Sequence, residues 1–347
     1  MKHVVVVGGG IAGVSAAWAF QNRARVTLLA PNGIGDGASG VAAGLLNPFM
    51  GRKANPTWRW ADAMEATTDL LRLAGEPESA TGLLRPASSP KQAQAFARQA
   101  ERFPDDLEWL SAPAPGTLRV RRGQAVDVAE MLQRAVAAMP EVAVLPDRLL
   151  GWHEQAESVQ IETDSGDLSA DALVVAAGAG WLANASDHVL HGVKGQIALL
   201  DAPDTVPTPI SGGVYLAQNG PHVIVGSTFE HDFDDLTVDD AAFIDLRAKA
   251  ARLAPVLQHA PIAGGRAGIR VTTPRSRLPL VGPVTPLRRV WCLTGLGAKG
   301  LLMGPMVARM LADALIDDQA LPAEIDSAHR LSLPSAYAWQ PLPGRLS

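Results

Sequence analysis

Val4-Val5-Val6-Val7-Gly8-Gly9-Gly10-Ile11-Ala12-Gly13 is the stretch on which the fold turns. Four consecutive β-branched residues predict a strand covered on both faces, because a strand with one wet face would alternate apolar with polar side chains. The glycines end it. Residues 11–22 then supply small side chains and helix formers, and residues 25–29 make a second strand, which completes a strand–helix–strand unit in about 30 residues. Gly8-x-Gly10-x-x-Gly13 therefore lies between a strand and a helix, where a dinucleotide turn has to lie. Gly8 permits the tight turn, Gly10 lets the backbone approach a pyrophosphate, and Gly13 brings the helix against the strand. The first helical amides, at Ile11 and Ala12, then face the phosphates.

Working outward, the end of the second strand normally carries an acidic residue that binds the adenosine ribose; here the position holds Ala30. That absence weakens a nicotinamide reading and leaves the ribose to Asn32 or to backbone groups, although Asn32 serves equally well as a turn residue. Gly37-Ala38-Ser39-Gly40 and Ala43-Gly44-Leu45 form an unusually small-residue loop with room for one helical turn at 41–46. Small side chains allow a flat ring to lie close to the backbone. Ser39 either hydrogen-bonds a phosphate or ribityl oxygen or caps that short helix. A second apolar strand at 173–177 runs into Gly178 and Trp181, with Trp181 the more usual core residue than ligand. A third strand at 290–294 leads through Gly297-Ala298-Lys299-Gly300-Leu301 into a long helix at 301–316, whose N-terminal amides suit a partial negative charge.

Between these pieces the pattern changes. Helices are predicted at 58–73, 91–111 and 128–138, with an extended piece at 82–90 and strands at 118–122, 142–145 and 158–163. Short strands at 192–200, 214–217 and 222–227, separated by turn signals, predict an antiparallel sheet. The expected architecture is α/β: a Rossmann-like dinucleotide-binding domain made of 1–81, 124–188 and 264–330, with an inserted antiparallel-sheet (α+β) substrate domain at 82–123 and 189–263. Residues 331–347 read as a C-terminal extension over the surface.

Composition narrows the function. With 347 residues, 47% hydrophobic and 19% charged, the chain can bury a cofactor. The net charge of -5 gives no general attraction to nucleic-acid phosphates. One cysteine, Cys292, excludes an internal disulfide and points to a reducing compartment, the cytoplasm. No signal peptide or transmembrane segment is read. His191 and His222 lack metal-ligand spacing, so no metal site is assigned.

Taken in order, residues 8–13, 37–46, 174–181, Val193-Lys194-Gly195-Gln196, Arg266-Ala267-Gly268-Ile269-Arg270, Leu278-Pro279-Leu280-Val281-Gly282 and 294–302 resemble the D-amino-acid oxidase family of flavoproteins. Glycine oxidase and sarcosine oxidase belong to that family, and the resemblance spans nearly the whole chain. It extends to the oxidase half of the bifunctional enzyme that matures carboxymethylaminomethyl-uridine in tRNA; the Gly37-Ala38-Ser39-Gly40 loop and Ala30 lean that way. What the resemblance implies is non-covalent FAD and oxidation of a C–N bond in a small amine or amino acid by hydride transfer to flavin N5. The resulting imine is then hydrolysed, and O2 or another acceptor reoxidises the flavin. It also implies Tyr215, Arg270 and Lys299 as substrate-orienting residues, the last standing where the family has arginine.

Each of the three has a plainer reading. Arg270 is one cation among Arg266, Arg275 and Arg277, Tyr215 suits a half-buried strand position, and Lys299 can matter through its backbone alone. Cys292 lies inside a strand and reads as a buried thiol rather than a flavin link. Two competing functions stand beside the leading one. A tRNA-modifying flavoenzyme would use a surface built from Arg266, Arg270, Arg275, Arg277, Arg288 and Arg289, and a non-catalytic nucleotide sensor would bind without reduction.

Overall fold

The computed structural model describes residues 1–41, 43–112, 115–328 and 330–343. Strand β1 (His3–Val7), helix α1 (Ile11–Phe20) and strand β2 (Arg25–Leu29) form where the valine run and glycines place them. β1 is an inner strand of a six-stranded sheet ordered Val142–Leu145, β2, β1, Ala172–Val175, Val290–Thr294, Leu280–Pro283. All neighbours run parallel except the last pair, which is antiparallel.

Alternation along β1 sends its valines into two cores. Val4 and Val6 pack under the helices, with Val14 and Ala17 of α1 and with Leu302 and Met306 of the helix Gly300–Asp317. Val5 and Val7 face the opposite way, into a cluster with Trp152, Ile161 and Trp181. A four-stranded antiparallel sheet, Leu168–Ala170, Val159–Thr163, Leu149–Glu154 and Ala336–Ala338, covers that side. None of the four valines is more than 5% exposed, and each such burial contributes about 1.5–3 kcal/mol relative to exposure. A run without polar alternation is what a middle layer needs.

The other large sheet has eight strands, ordered Ile262–Thr272, His191–Asp201, His222–Gly226, Val214–Asn219, Ile210–Gly212, Leu83–Pro86, Thr117–Val120, Leu107–Leu110. One face, with Ala198, Leu200, Val223 and Val225, buries Phe243 and Leu246 of the helix Asp240–Leu253. Its other face carries Ile197, Ala217 and Ile224, which pack on Ala43. Ala43 opens strand β3 (Ala43–Leu46), just after the short helix α2 (Ala38–Val41). The dinucleotide loop is thus the layer between the two sheets.

Four readings change. The strand Ile262–Thr272 belongs to the eight-stranded sheet, so position 264 lies inside a strand of that sheet rather than at its border. Its glycines hide the period. The helix expected at 91–111 is Pro90–Arg102, because Pro104 breaks it, and Leu107–Leu110 is a strand. The helical turn expected at 41–46 forms one step earlier, as α2, and 43–46 is extended. The C-terminal extension adds a strand, Ala336–Ala338, with Tyr337 stacked on Trp152 at 5.0 Å between ring centroids. Among the described residues no helix is long and apolar enough to cross a membrane.

A Cβ at Gly13 would stand 1.8 Å from the Gly8 carbonyl oxygen, a backbone atom that has no rotamer to escape into. Gly13→Ala should therefore force α1 off β1, at about 1–3 kcal/mol or more. Thermal unfolding should show a midpoint lowered by several degrees; an unchanged midpoint would contradict this packing.

Candidate active site

The site begins where β1 ends. Gly8 has φ +118, a conformation that L side chains rarely adopt, and a Cβ there would also lie 2.5 Å from the Ala176 carbonyl oxygen. Gly10 is the N-cap of α1, in extended geometry, and supplies no side-chain cap; the first turn carries no acidic residue. The Ile11 amide instead donates to Ser39 Oγ at 3.0 Å. A Cβ at Gly10 would meet Ser39 Oγ at 3.1 Å and otherwise only atoms beyond 3.7 Å. Ahead of α1, then, lies space bounded by the small-residue loop, with a positive helix end pointing into it.

Three other expected segments close around the same helix end. Gly300 approaches Ile11 so closely that a Cβ would be 2.9 Å from Ile11 Cγ2, and a Cβ at Gly44 would be 3.1 Å from Leu301 Cδ2. The helix Gly300–Asp317 likewise starts with no side-chain cap and no acidic first turn. Thr67 anchors this start, donating from Oγ1 to the carbonyls of Leu301 and Leu302 at 3.0 Å each. Gly40 accepts from Arg266 Nη1 at 3.1 Å, and Gly268 packs against Ala38 and Val41. Leu45 lies in β3 with Ala43 and Gly44, and Gly297 and Ala298 precede Lys299 in a single 3-10 turn. Asn32 is exposed in the turn after β2, and Gly178, with φ 52, is exposed after the strand Ala172–Val175. Trp181 is different: it is fully buried, and its Nε1 donates to the Val175 carbonyl at 3.1 Å. Its ring belongs to the core.

Tyr215 and Arg270 meet on one face of the eight-stranded sheet, although two strands separate theirs. Glycines make this possible. Arg270, opposite Val193 in register, crosses its neighbouring strand above Gly195, where a Cβ would be 2.3 Å from Arg270 Nη2. Tyr215, opposite Gly226, covers that glycine, whose Cβ would be 2.4 Å from the phenol oxygen. Beyond Gly195 the guanidinium reaches residues 227–229: Nη1 donates to Ser227 Oγ at 2.9 Å, Nη2 to the Thr228 carbonyl at 2.7 Å, and Cζ sits 4.3 Å from the centre of the Phe229 ring. Phe229 is 65% exposed and Arg270 partly so, which puts this end of the guanidinium near the surface. Sequence reading missed Gly195, Gly226, Ser227, Thr228 and Phe229 as parts of the site.

The electrostatics suit an anion. Burial pushes the Tyr215 phenol well above its usual range against the opposing pull of the Arg270 charge, so it stays protonated. Its hydroxyl is buried beside the Ala43 backbone and lacks a well-formed hydrogen bond among the described residues. Burial also lowers Arg270 from the ordinary arginine value, partly offset by Tyr215 and Glu230. A guanidinium carries five N–H donors, more than these two bonds use. Lys299 does not join the pair: its Nζ donates to the Arg277 carbonyl at 2.9 Å, and burial with the nearby Arg277 charge lowers its pKa.

The other arginines divide into two groups. Arg275 and Arg277 are exposed on the Lys299 side. Arg288 and Arg289 lie before the strand Val290–Thr294, whose parallel register with Ala172–Val175 and β1 puts them at the end of the sheet away from Gly8. Arg289 is further tied to the Ala156 and Asp171 carbonyls. The basic face expected from six arginines is therefore split.

The sequence matches a family model described as FAD dependent oxidoreductase (DAO) over residues 3–314. It is 32% identical to the tRNA 5-methylaminomethyl-2-thiouridine biosynthesis bifunctional protein of Maricaulis maris, across 96% of this chain but only 55% of that protein. It is 27% identical to a glycine oxidase of Pseudomonas aeruginosa, across 95% of this chain and 100% of that one. The fold is similar to a crystal structure of glycine oxidase from Geobacillus kaustophilus, with a TM-score of 0.77 at 20% identity over 96% and 99% of the two chains. With a family model covering nearly its whole length and a glycine turn, loop and helix start converging as that cofactor requires, the chain belongs to the DAO family of FAD-dependent oxidoreductases.

Proposed function

We propose that this enzyme oxidises the C–N bond of a small amine or amino acid that carries a carboxylate. The observation that carries the reading is the pairing of the partly exposed Arg270 guanidinium with the orphaned Tyr215 phenol, beside Ala43 of the cofactor loop. The residues fit FAD: the space ahead of Gly10 is bounded closely only by Ser39, Gly8, Gly13 and Gly44 let the surrounding segments close up, and α1 starts with no N-cap side chain of its own and no acidic first turn. Residues 8–13 with Ser39 would hold the pyrophosphate, and residues 43–45 and 297–301 would flank the flavin. Bound there, FAD supplies the two-electron acceptance that converts an amine to an imine, which water hydrolyses.

The protein's own contribution is orientation. Arg270 binds the carboxylate, the protonated Tyr215 donates a hydrogen bond to it, and the C–H next to nitrogen is thereby held toward the cofactor loop. No side chain needs to act as an acid or base. The cofactor is held non-covalently: Cys292 is fully buried, and burial pushes its thiol up to about 12, which leaves no reactive thiolate. A reduced, buried lone cysteine fits the cytoplasm.

A second reading keeps the same site and enlarges the substrate. The Maricaulis relative is named for tRNA biosynthesis, and a carboxymethylamino group on a uridine presents the same N–CH2–carboxylate as glycine. Arg266 on one side and Arg275 and Arg277 on the other are exposed cations for such a polymer. Steep loss of tRNA affinity with salt would favour it, while salt-insensitive oxidation of free amino acids favours the first reading.

Gly10→Val should abolish FAD content measured by absorbance ratio while unfolding close to the midpoint of the FAD-free wild type, since its Cβ meets only Ser39 closely. Full retention of FAD would remove the motif from the cofactor site. Arg270→Ala should keep FAD but weaken carboxylate-bearing amines at least about tenfold, because a charge-assisted bond contributes about 1.5–3 kcal/mol. Arg270→Lys should recover only part. Anaerobic stopped-flow reduction with matched substrates, with and without the carboxylate, reads the difference; equal slowing of both overturns the clamp.

A further inference from the structure

Behind the Arg270 face lies a buried polar group that the proposed chemistry does not use. Strand alternation puts Lys194 and Gln196 on the face opposite Gly195. Both are nearly enclosed, at 6% and 2% exposure. Residues 228–230 run antiparallel beside them: the Thr228 amide donates to the Gln196 carbonyl at 3.1 Å, and Lys194 and Glu230 exchange backbone bonds at 3.0 Å. Glu230 is the hub of the side chains. Its Oε1 accepts from Thr228 Oγ1 at 2.5 Å and from Gln196 Nε2 at 2.9 Å, and its Oε2 lies 3.7 Å from Lys194 Nζ. Lys194 Nζ also donates to the Thr237 carbonyl at 2.7 Å, and Gln196 Oε1 accepts from the Asp239 amide at 2.7 Å.

Lys194 and Gln196 are costly to bury unless paired, and the partly exposed Glu230 of the segment 228–230 pairs with both. Residues 227–229, which overlap that segment, aim Arg270 through Ser227 Oγ, the Thr228 carbonyl and the Phe229 ring. One strand separates the two sets of contacts, with Thr228 common to both: its hydroxyl points to Glu230 and its carbonyl to Arg270. We propose that Glu230 is a positioning residue for the Arg270 carboxylate site, acting from the reverse face of the sheet by locking Thr228 to Lys194 and Gln196. The inference rests on the carboxylate clamp proposed above. Burial works to raise the Glu230 pKa, but its hydrogen bonds to Thr228 and Gln196 and the Lys194 charge outweigh this and hold it below the usual range. The lock is therefore closed at neutral pH.

The test is a double-mutant cycle on the FAD-loaded enzyme, with acetate as an unreactive carboxylate titrated against flavin absorbance. Glu230→Ala should weaken acetate roughly tenfold or more, as expected when a binding group is displaced by a fraction of an ångström. FAD content and reduction by an amine lacking a carboxylate should hold. In an Arg270→Ala background, Glu230→Ala should cost nothing further. Glu230→Gln keeps the shape and the Oε1 acceptor but loses the Lys194 ion pair, and should fall between wild type and Glu230→Ala. Additive losses in the double variant, or wild-type acetate affinity in both Glu230 variants, would overturn the positioning role. Should Arg270→Ala itself leave acetate binding intact, the clamp fails first, and Glu230 has nothing to position. If Glu230→Ala loses FAD or fails to fold, Glu230→Gln decides by the same criteria.

Discussion

The contact between the Gly8 carbonyl and Gly13 is the constraint on which the rest of the molecule depends. With no side chain at either position, α1 docks directly on the end of β1, and its free amides come to rest beside Ser39. From there the loop can pass between two sheets, because Gly40, Gly44 and Gly268 let backbones approach where side chains would collide. The cofactor layer and the substrate layer are thus joined through small residues at Ala38, Val41 and Ala43. Close packing of this kind leaves little freedom between the two sheets.

The nucleotide half of the site was legible because its signals are local. A glycine turn announces itself within six residues, and four valines without a polar interruption describe a strand buried on both sides. The substrate half was not legible in this way. Tyr215 and Arg270 entered through resemblance to a family, and nothing in their neighbourhoods says that Gly226 and Gly195 lie beneath them; that is a matter of register between strands far apart in sequence. Ser227, Thr228 and Phe229 were invisible for the same reason. Lys299 shows the converse: a residue placed by analogy, whose ammonium the fold engages with the Arg277 carbonyl.

Two departures from the sequence reading, a strand it left unassigned and a helix it ran too far, share a physical origin in composition. Residues 262–272 contain three glycines and two arginines four residues apart, so neither a helical nor a strand period emerges, yet the segment is held by ten register partners on its neighbour. Residues 103–111 follow a strong amphipathic helix and inherit its appearance, although Pro104 denies the continuation. In both places tertiary pairing decided what local preference left open.

The strand order has a consequence for how the protein comes into being. β1, at residues 3–7, pairs with 172–175, which in turn pairs with 290–294, and the loop at Gly44 rests on Leu301. The turn at residues 8–13 is therefore made well before residues 297–301, which supply part of the wall against which a flavin would lie. Parallel pairings across such separations close late, since the chain entropy of each long loop must be overcome before any contact rewards it. Until residues 172–175 have been made, β1 lacks one of its two neighbours in the sheet. An unpaired apolar strand of this kind is a pairing template for other chains, and a cofactor that binds only the folded form stabilises the contacts that close over it.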